Sequence, residues 1–195
     1  MGRRTVTLNP PTSNHAVTKK AVIYINTVTD KRTFYNKPSN PSMPSADTDV
    51  ASLTTKERNI LIGRQRNGWG KAMGDVGLEN QSVTAIVAQL LDEGFRSQGY
   101  QTTQTKSNAN VIVNCTVEDF WGWVSPGFFS ISVESRIQTA ITLTTISNPP
   151  KVFSMEVKSY GRKENQMVTS GSWIETYRRA FENYLNKFEE EMTRM

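Results

Sequence analysis

From Ser82 to Tyr100 the chain reads SVTAIVAQLLDEGFRSQGY. Val83, Ile86, Val87, Leu90, Leu91 and Phe95 recur at helical spacing and form one apolar stripe that an isolated helix cannot bury. Ser82 stands where an N-cap accepts a backbone N–H, and Gly99 where a left-handed residue ends a helix at little steric cost. Strand-like runs lie on both sides. The stripe therefore has to close on a sheet, and the helix serves as a crossover between strands.

The strands are read from alternation. Ala21–Val28 is a short apolar run that suits a central strand, and Asn59–Gln65 is a second candidate. Ala109–Asp119 places Val111, Val113, Cys115 and Val117 on one face. In Phe129–Ile146 the residues Phe129, Ile131, Val133, Ile137, Ile141 and Leu143 alternate with Ser130, Ser132, Glu134, Arg136, Gln138, Thr142 and Thr144, giving one covered and one wetted face. Asn148-Pro149-Pro150 turns into Lys151–Gly161, with Phe153, Met155 and Val157 inward. Ser172 and Glu175 read as the capping box of a last helix, whose stripe is Trp173, Ile174, Tyr177, Phe181, Tyr184, Leu185, Phe188 and Met192. The expected fold class is α+β: a mixed, mostly antiparallel sheet of four to five strands with two helices packed on one face.

Two stretches fall outside this pattern. Residues 1–20 are rich in Thr, Asn and Pro and read as an extended tether ahead of a single domain over 21–195. Residues 36–58 contain three prolines and no apolar period, and read as a disordered or loosely packed loop. The net charge of +5 is concentrated at the start: residues 1–37 carry seven basic groups and one acidic group, while the remainder carries 16 and 17. The body is close to neutral, unlike a uniformly basic nucleic-acid-binding domain.

Little in the sequence supports catalysis. His15 is the only histidine and lies in the tether, so Ser-His-Asp and Cys-His arrangements have no base in the body, and a zinc site has no adequate ligand set. Glu118 and Asp119 are neighbours in a strand and point to opposite faces, so they do not form a proton-sharing dyad. Cys115 alternates with valines and reads as a small core hydrophobe. Glycines at 63, 68, 70, 74 and 77 precede the Ser82 helix, but neither the P-loop nor the dinucleotide spacing is met, and the stretch reads as a mobile, turn-rich connection. No cofactor or metal is expected. Asp30 and Arg32, just after the first strand, suit a structural pair or a turn cap.

Phe120–Phe129, FWGWVSPGFF, is the stretch most open to function. Ser125-Pro126-Gly127 makes it a hairpin tip, and Phe120, Trp121, Trp123, Phe128 and Phe129 flank the turn. Either some of these rings are exposed and meet a partner, a second copy or a membrane surface, or they form a small satellite core folded back on the sheet. Arg3, Arg4, Lys19, Lys20, Arg64, Arg66 and Lys71, with Trp69 for stacking, make up the alternative: a soluble binder of nucleic acid or an anionic ligand.

The segments AVIYIN with its Asp30-x-Arg32 step, VTAIVAQLLDEGFRSQGY, ANVIVNCTVED, SRIQTAITLTTI and KVFSMEVKSYGRKE, followed by the closing helix, occur in an order that resembles the YajG-like family of bacterial envelope lipoproteins. That family's fold is similar to the N-terminal domain of TolB. Its members carry a lipidated cysteine behind a signal peptide, and neither feature is present in this sequence. The resemblance implies a non-enzymatic, periplasm-facing interaction or scaffold module. It would be held at the outer membrane if a lipidated cysteine precedes these residues, and would contact another envelope protein or itself.

Overall fold

The computed structural model describes residues 3–67, 71–127 and 130–194. In chain order the elements are β1 (Arg4–Val6), β2 (Val22–Asp30), α1 (Thr55–Ile60), β3 (Leu61–Arg66), β4 (Ala72–Leu78) and α2 (Val83–Ser97). They continue with β5 (Gln101–Thr102), β6 (Val111–Pro126), β7 (Ile131–Thr145), β8 (Val152–Asn165) and α3 (Ser170–Arg194). The class is α+β with a mixed sheet, as the alternation and the two stripes require. Among the described residues the sheet has eight strands, however, rather than four or five. β1 and β5 are three and two residues long, too short to leave a period. β4, AMGDVGL, hides its strand character behind two glycines, and with β3 it turns most of the presumed mobile connection into an antiparallel pair.

The sheet is forked at β6. One side of β6 pairs antiparallel with β7 along its whole length, and β7 pairs with β8. The other side is shared: β2 runs parallel to residues 111–117, and β3 runs parallel to Gly122 and Trp123. β4 and then β1 extend the sheet from β3, while the two-residue β5 extends it from β2. β2 is thus one short strand from an edge, rather than central.

Both long helices cover one face. Val83, Ile86, Val87, Leu90, Leu91 and Phe95 of α2 are buried with Trp173, Tyr177, Phe181, Tyr184 and Phe188 of α3 in one core. The helices meet at Gly94, which lies against the Phe188 ring. Ser82 accepts the N–H of Ala85, and Gly99 has φ +80°, so both ends of α2 are as its sequence requires. α3 begins earlier than expected. Thr169 and Ser172 exchange backbone-to-hydroxyl bonds, and Glu175 instead binds Arg178 and Arg179. Ile174 stays exposed, and so does Phe153 of β8.

Residues 3–20 do not stand off as a tether. β1 pairs parallel with β4, Leu8 is buried and exchanges bonds with the Gln81 side chain, and Thr18 and Lys19 donate to the Gly99 carbonyl. The segment is a strap along α2. Residues 36–53 are equally engaged: they lie over the sheet face away from the helices, with Ser45 and Ala46 buried.

Candidate functional site

Arg32 sits in the fork. β2 leaves β6 at Val117, and β3 joins it only at Gly122, so the carbonyls between them have no strand to pair with. The Arg32 guanidinium supplies the donors: Nη1 donates to Leu61 O and Phe120 O at 2.7 Å each, and Nη2 to Arg58 O at 2.6 Å. Asp30 receives Nε at 2.9 Å and Nη2 at 2.7 Å, so the buried charge is matched by a fork-on-carboxylate pair. The Asp30-x-Arg32 step is a structural plug.

A β-bulge at Glu118 decides the fate of the aromatic tip. Up to Val117 the odd residues of β6 face the helices; past the bulge the even ones do. Phe120 goes inward and stacks on Tyr177 with centroids 5.0 Å apart, while Trp121 and Trp123 turn to the opposite face. There they are buried under the 36–53 segment, with Phe34, Ala46 and Leu61, in a second small core. Trp121 meets Phe34 edge-on at 6.0 Å and donates its indole N–H to Pro41 O at 3.2 Å. Of the two alternatives for this stretch, Phe120, Trp121 and Trp123 take the buried one, and the exposed contact is absent at these three rings because the parity change delivers two of them to a covering loop. Phe128, Phe129 and Trp69 lie outside the described residues.

The same outer layer holds most of the buried charges. Arg136 Nε donates to Asp119 Oδ2 at 2.6 Å, and the guanidinium lies over the Trp123 ring at 5.7 Å. Burial raises the Asp119 carboxyl above the usual carboxylate range, opposed by the charge of Arg136. Arg64 donates to Ala46 O and to Asp47, whose own backbone N–H donates to Asp75. Asp75 is likewise raised, by burial first. These groups fasten the covering segment to the sheet.

The seven basic residues do not share a surface. Arg64 is inside the outer layer, and Arg66 reaches Pro38 O at 3.4 Å. Arg4 donates to Val168 O beside α3, and Arg3 lies along Gly77 of β4. Lys19 covers the Tyr100 ring at 4.6 Å at the far end of α2, beside Lys20, while Lys71 is exposed immediately before β4. Cys115 is buried, and burial pushes its thiol up to about 12.

Sequence reasoning missed a groove between α2 and the β2–β5 edge. It has a volume of about 320 Å³ and is lined by Thr12, Ile25, Gln89, Asp92, Glu93 and residues 102–104. Glu93 is 3% exposed although it sits on a helix, because the strap crosses it: His15 Nε2 lies 2.8 Å from Oε1. No described residue reaches Glu93 Oε2. The only trace of this in the sequence is an acidic residue placed next to the apolar stripe. Among the described residues no three His, Cys, Asp or Glu side chains converge as metal ligands.

What the geometry defines is an α+β protein in which most of the buried charges among the described residues are tied to partners, with the His15–Glu93 pair set beside the groove. Residues 57–194 match the family described as an uncharacterized lipoprotein, and the chain belongs to this YajG-like lipoprotein family. A search of curated proteins finds no match. Among solved structures, a Xanthomonas campestris protein from a family of unknown function aligns over 99% of this chain and 99% of its own, at 9% identity and TM-score 0.44. A Helicobacter pylori homolog of neuraminyllactose-binding hemagglutinin aligns over 94% and 91%, at 8% identity and TM-score 0.37. No helix among the described residues is long and apolar enough to cross a membrane.

Proposed function

We propose that this protein is a non-catalytic cell-envelope module that binds another protein through an open edge of its sheet. The observation that carries the reading is β2: from Tyr24 to Asp30 it has a strand partner on the β6 side alone, since β5 covers only Val22 and Ile23. An open edge presents a row of backbone donors and acceptors that favours strand addition. The opposite edge, β8, is blunted over the C-terminal half of its length. Arg179 and Asn183 of α3 donate to the carbonyls of Arg162 and Tyr160, occupying the upper half of β8. Membership in a lipoprotein family supports placement at the envelope, where an N-terminal lipid would hold the module beside the membrane.

The test is photocrosslinking in cells of the source organism, with p-benzoylphenylalanine placed singly at Asn26, Thr27, Thr29, Ser154 and Tyr160. Discrete adducts at the β2 positions are expected. Monomer alone at all five positions overturns the reading.

A further inference from the structure

We infer that the groove beside β2 takes an extended protein segment carrying a lysine or arginine, which adds a strand along Tyr24–Asp30 and places its cationic side chain against Asp92 and Glu93. The inference rests on the edge-binding reading above and names the partner's chemistry.

Two independent features meet here. The first is the backbone. The Thr103 N–H donates to Ile23 O, and the chain then leaves the edge, so an incoming strand begins where β5 stops. Val22 exchanges bonds with Asn110 on the β6 side, and Lys31 donates to Val117 on that side too. With the bulge at Asn26, alternation turns the peptide groups of Ile25, Asn26, Val28 and Asp30 outward.

The second feature is charge. Besides Ile25 and Ala88, the groove beneath that edge is lined by two carboxylates, two glutamines and three threonines, and no basic side chain is among its lining residues. The cations nearby are weakly placed. Arg96 stands 3.7 Å from Asp92 with both side chains more than a third exposed or nearly so, a pairing of little strength. His15 takes only Oε1 of Glu93, and the second oxygen is buried without a donor. A buried carboxylate oxygen in that state carries a desolvation cost that an ammonium or guanidinium N–H removes. Threonines and glutamines around it supply acceptors for the remaining donors of such a group. An apolar or acidic side chain at the same position leaves Glu93 as it is, so the charge sets a preference among strands that the backbone alone accepts.

The probe is a fluorescein-labelled peptide of alternating threonine and valine with one central lysine, titrated against the full chain by anisotropy. It is compared with a norleucine twin, with a twin N-methylated at alternate backbone positions, and with 1,5-diaminopentane as competitor. Saturable binding of the lysine peptide is expected, with the norleucine and N-methyl peptides each about tenfold weaker. Glu93→Gln lowers affinity for the lysine peptide and leaves that for the norleucine peptide unchanged, which separates lost charge from lost fold. Equal binding of the lysine and norleucine peptides overturns the assignment. So does undiminished binding of the N-methyl peptide, or complete displacement by the diamine, which marks a site for small cations only. Absence of saturable binding, alongside crosslinks at the β2 positions in cells, removes this segment chemistry and leaves the edge-binding reading standing.

Discussion

Gly63 and Gly122 face each other across the β3–β6 ladder, and the indole of Trp173 lies against both. A Cβ on Gly63 would fall 2.6 Å from Trp173 Cζ3, and one on Gly122 2.8 Å from the same atom. The two glycines form a slot that lets α3 approach the sheet where β3 joins it. Gly122→Ala forces the fully buried ring aside and is expected to cost about 1–3 kcal/mol. Urea denaturation measures it, and Trp173→Leu in the same chain should recover part of the loss by vacating the slot. An additive double variant would show that the ring is not what the glycine accommodates.

The fork makes a sharper demand on Arg32. Replacing it with Met keeps an unbranched apolar stem but strips the donors from Leu61 O, Phe120 O and Arg58 O, and leaves Asp30 without its cation. The expected loss is about 3–5 kcal/mol, since one member of a buried pair is left uncompensated. Arg32→Lys should recover little of it, because a single ammonium does not reproduce the planar fork. A denaturation midpoint for Arg32→Lys equal to that of the parent chain would refute the plug.

Which parts of this architecture were legible follows from how far each signal extends along the chain. α2 could be read almost to the residue, because stripe, Ser82 and Gly99 all lie within one local segment. Asp30-x-Arg32 was legible as a pair but not as a plug, since the carbonyls it serves come from β3 and β6, some 30 and 90 residues away. The parity change at Glu118 is invisible in a period-2 reading, where a bulge looks like one more residue of the same strand. Once it is known, the burial of Trp121 and Trp123 follows, and so does the need for a covering segment. That segment lacked a period because, apart from one 3-10 turn at Val50–Ser52 and a single bridge at Ser45, it has no regular structure: it is held by Arg64, Asp75 and an indole N–H. Glu93 is buried by a strap that its own helix gives no hint of.

Trp121 anchors that cover. Trp121→Ala removes a wholly buried ring together with its bond to Pro41 O, and is expected to destabilise the protein by about 3–5 kcal/mol. The damage should concentrate on one side. Amide exchange is expected to accelerate across residues 34–53 far more than across α2, which shares no core contact with Trp121. Uniform acceleration through the chain would mean that the two cores are not separable.

Cys115 tests the inner face. Its thiol is buried and raised to about 12, so iodoacetamide at mildly alkaline pH should leave the native chain unmodified and label it promptly in denaturant. Modification of the native protein, read by mass spectrometry, would place the thiol elsewhere than between β2 and β7.

Asp75 yields a prediction about pH whose sign follows from its burial. Its carboxyl is raised above the ordinary value by desolvation, with the Asp47 N–H and the Arg64 charge only partly offsetting this. The folded state therefore binds more protons at this position than the unfolded state, in the window that opens near the ordinary value of about 3.9. In that window stability falls as pH rises, and above the raised value the cost is constant. Asp75→Asn retains an oxygen to accept the Asp47 N–H and carries no charge to desolvate. The stability difference, variant minus parent, is then expected to grow in the variant's favour as pH rises from about 3.9 and to level off once pH has passed the raised value. Urea midpoints collected across that range check it. A difference that stays flat, or that grows toward low pH, would mean that Arg64 compensates Asp75 fully, and that the outer layer is held by an ion pair rather than by a carboxylate paid for elsewhere in the fold.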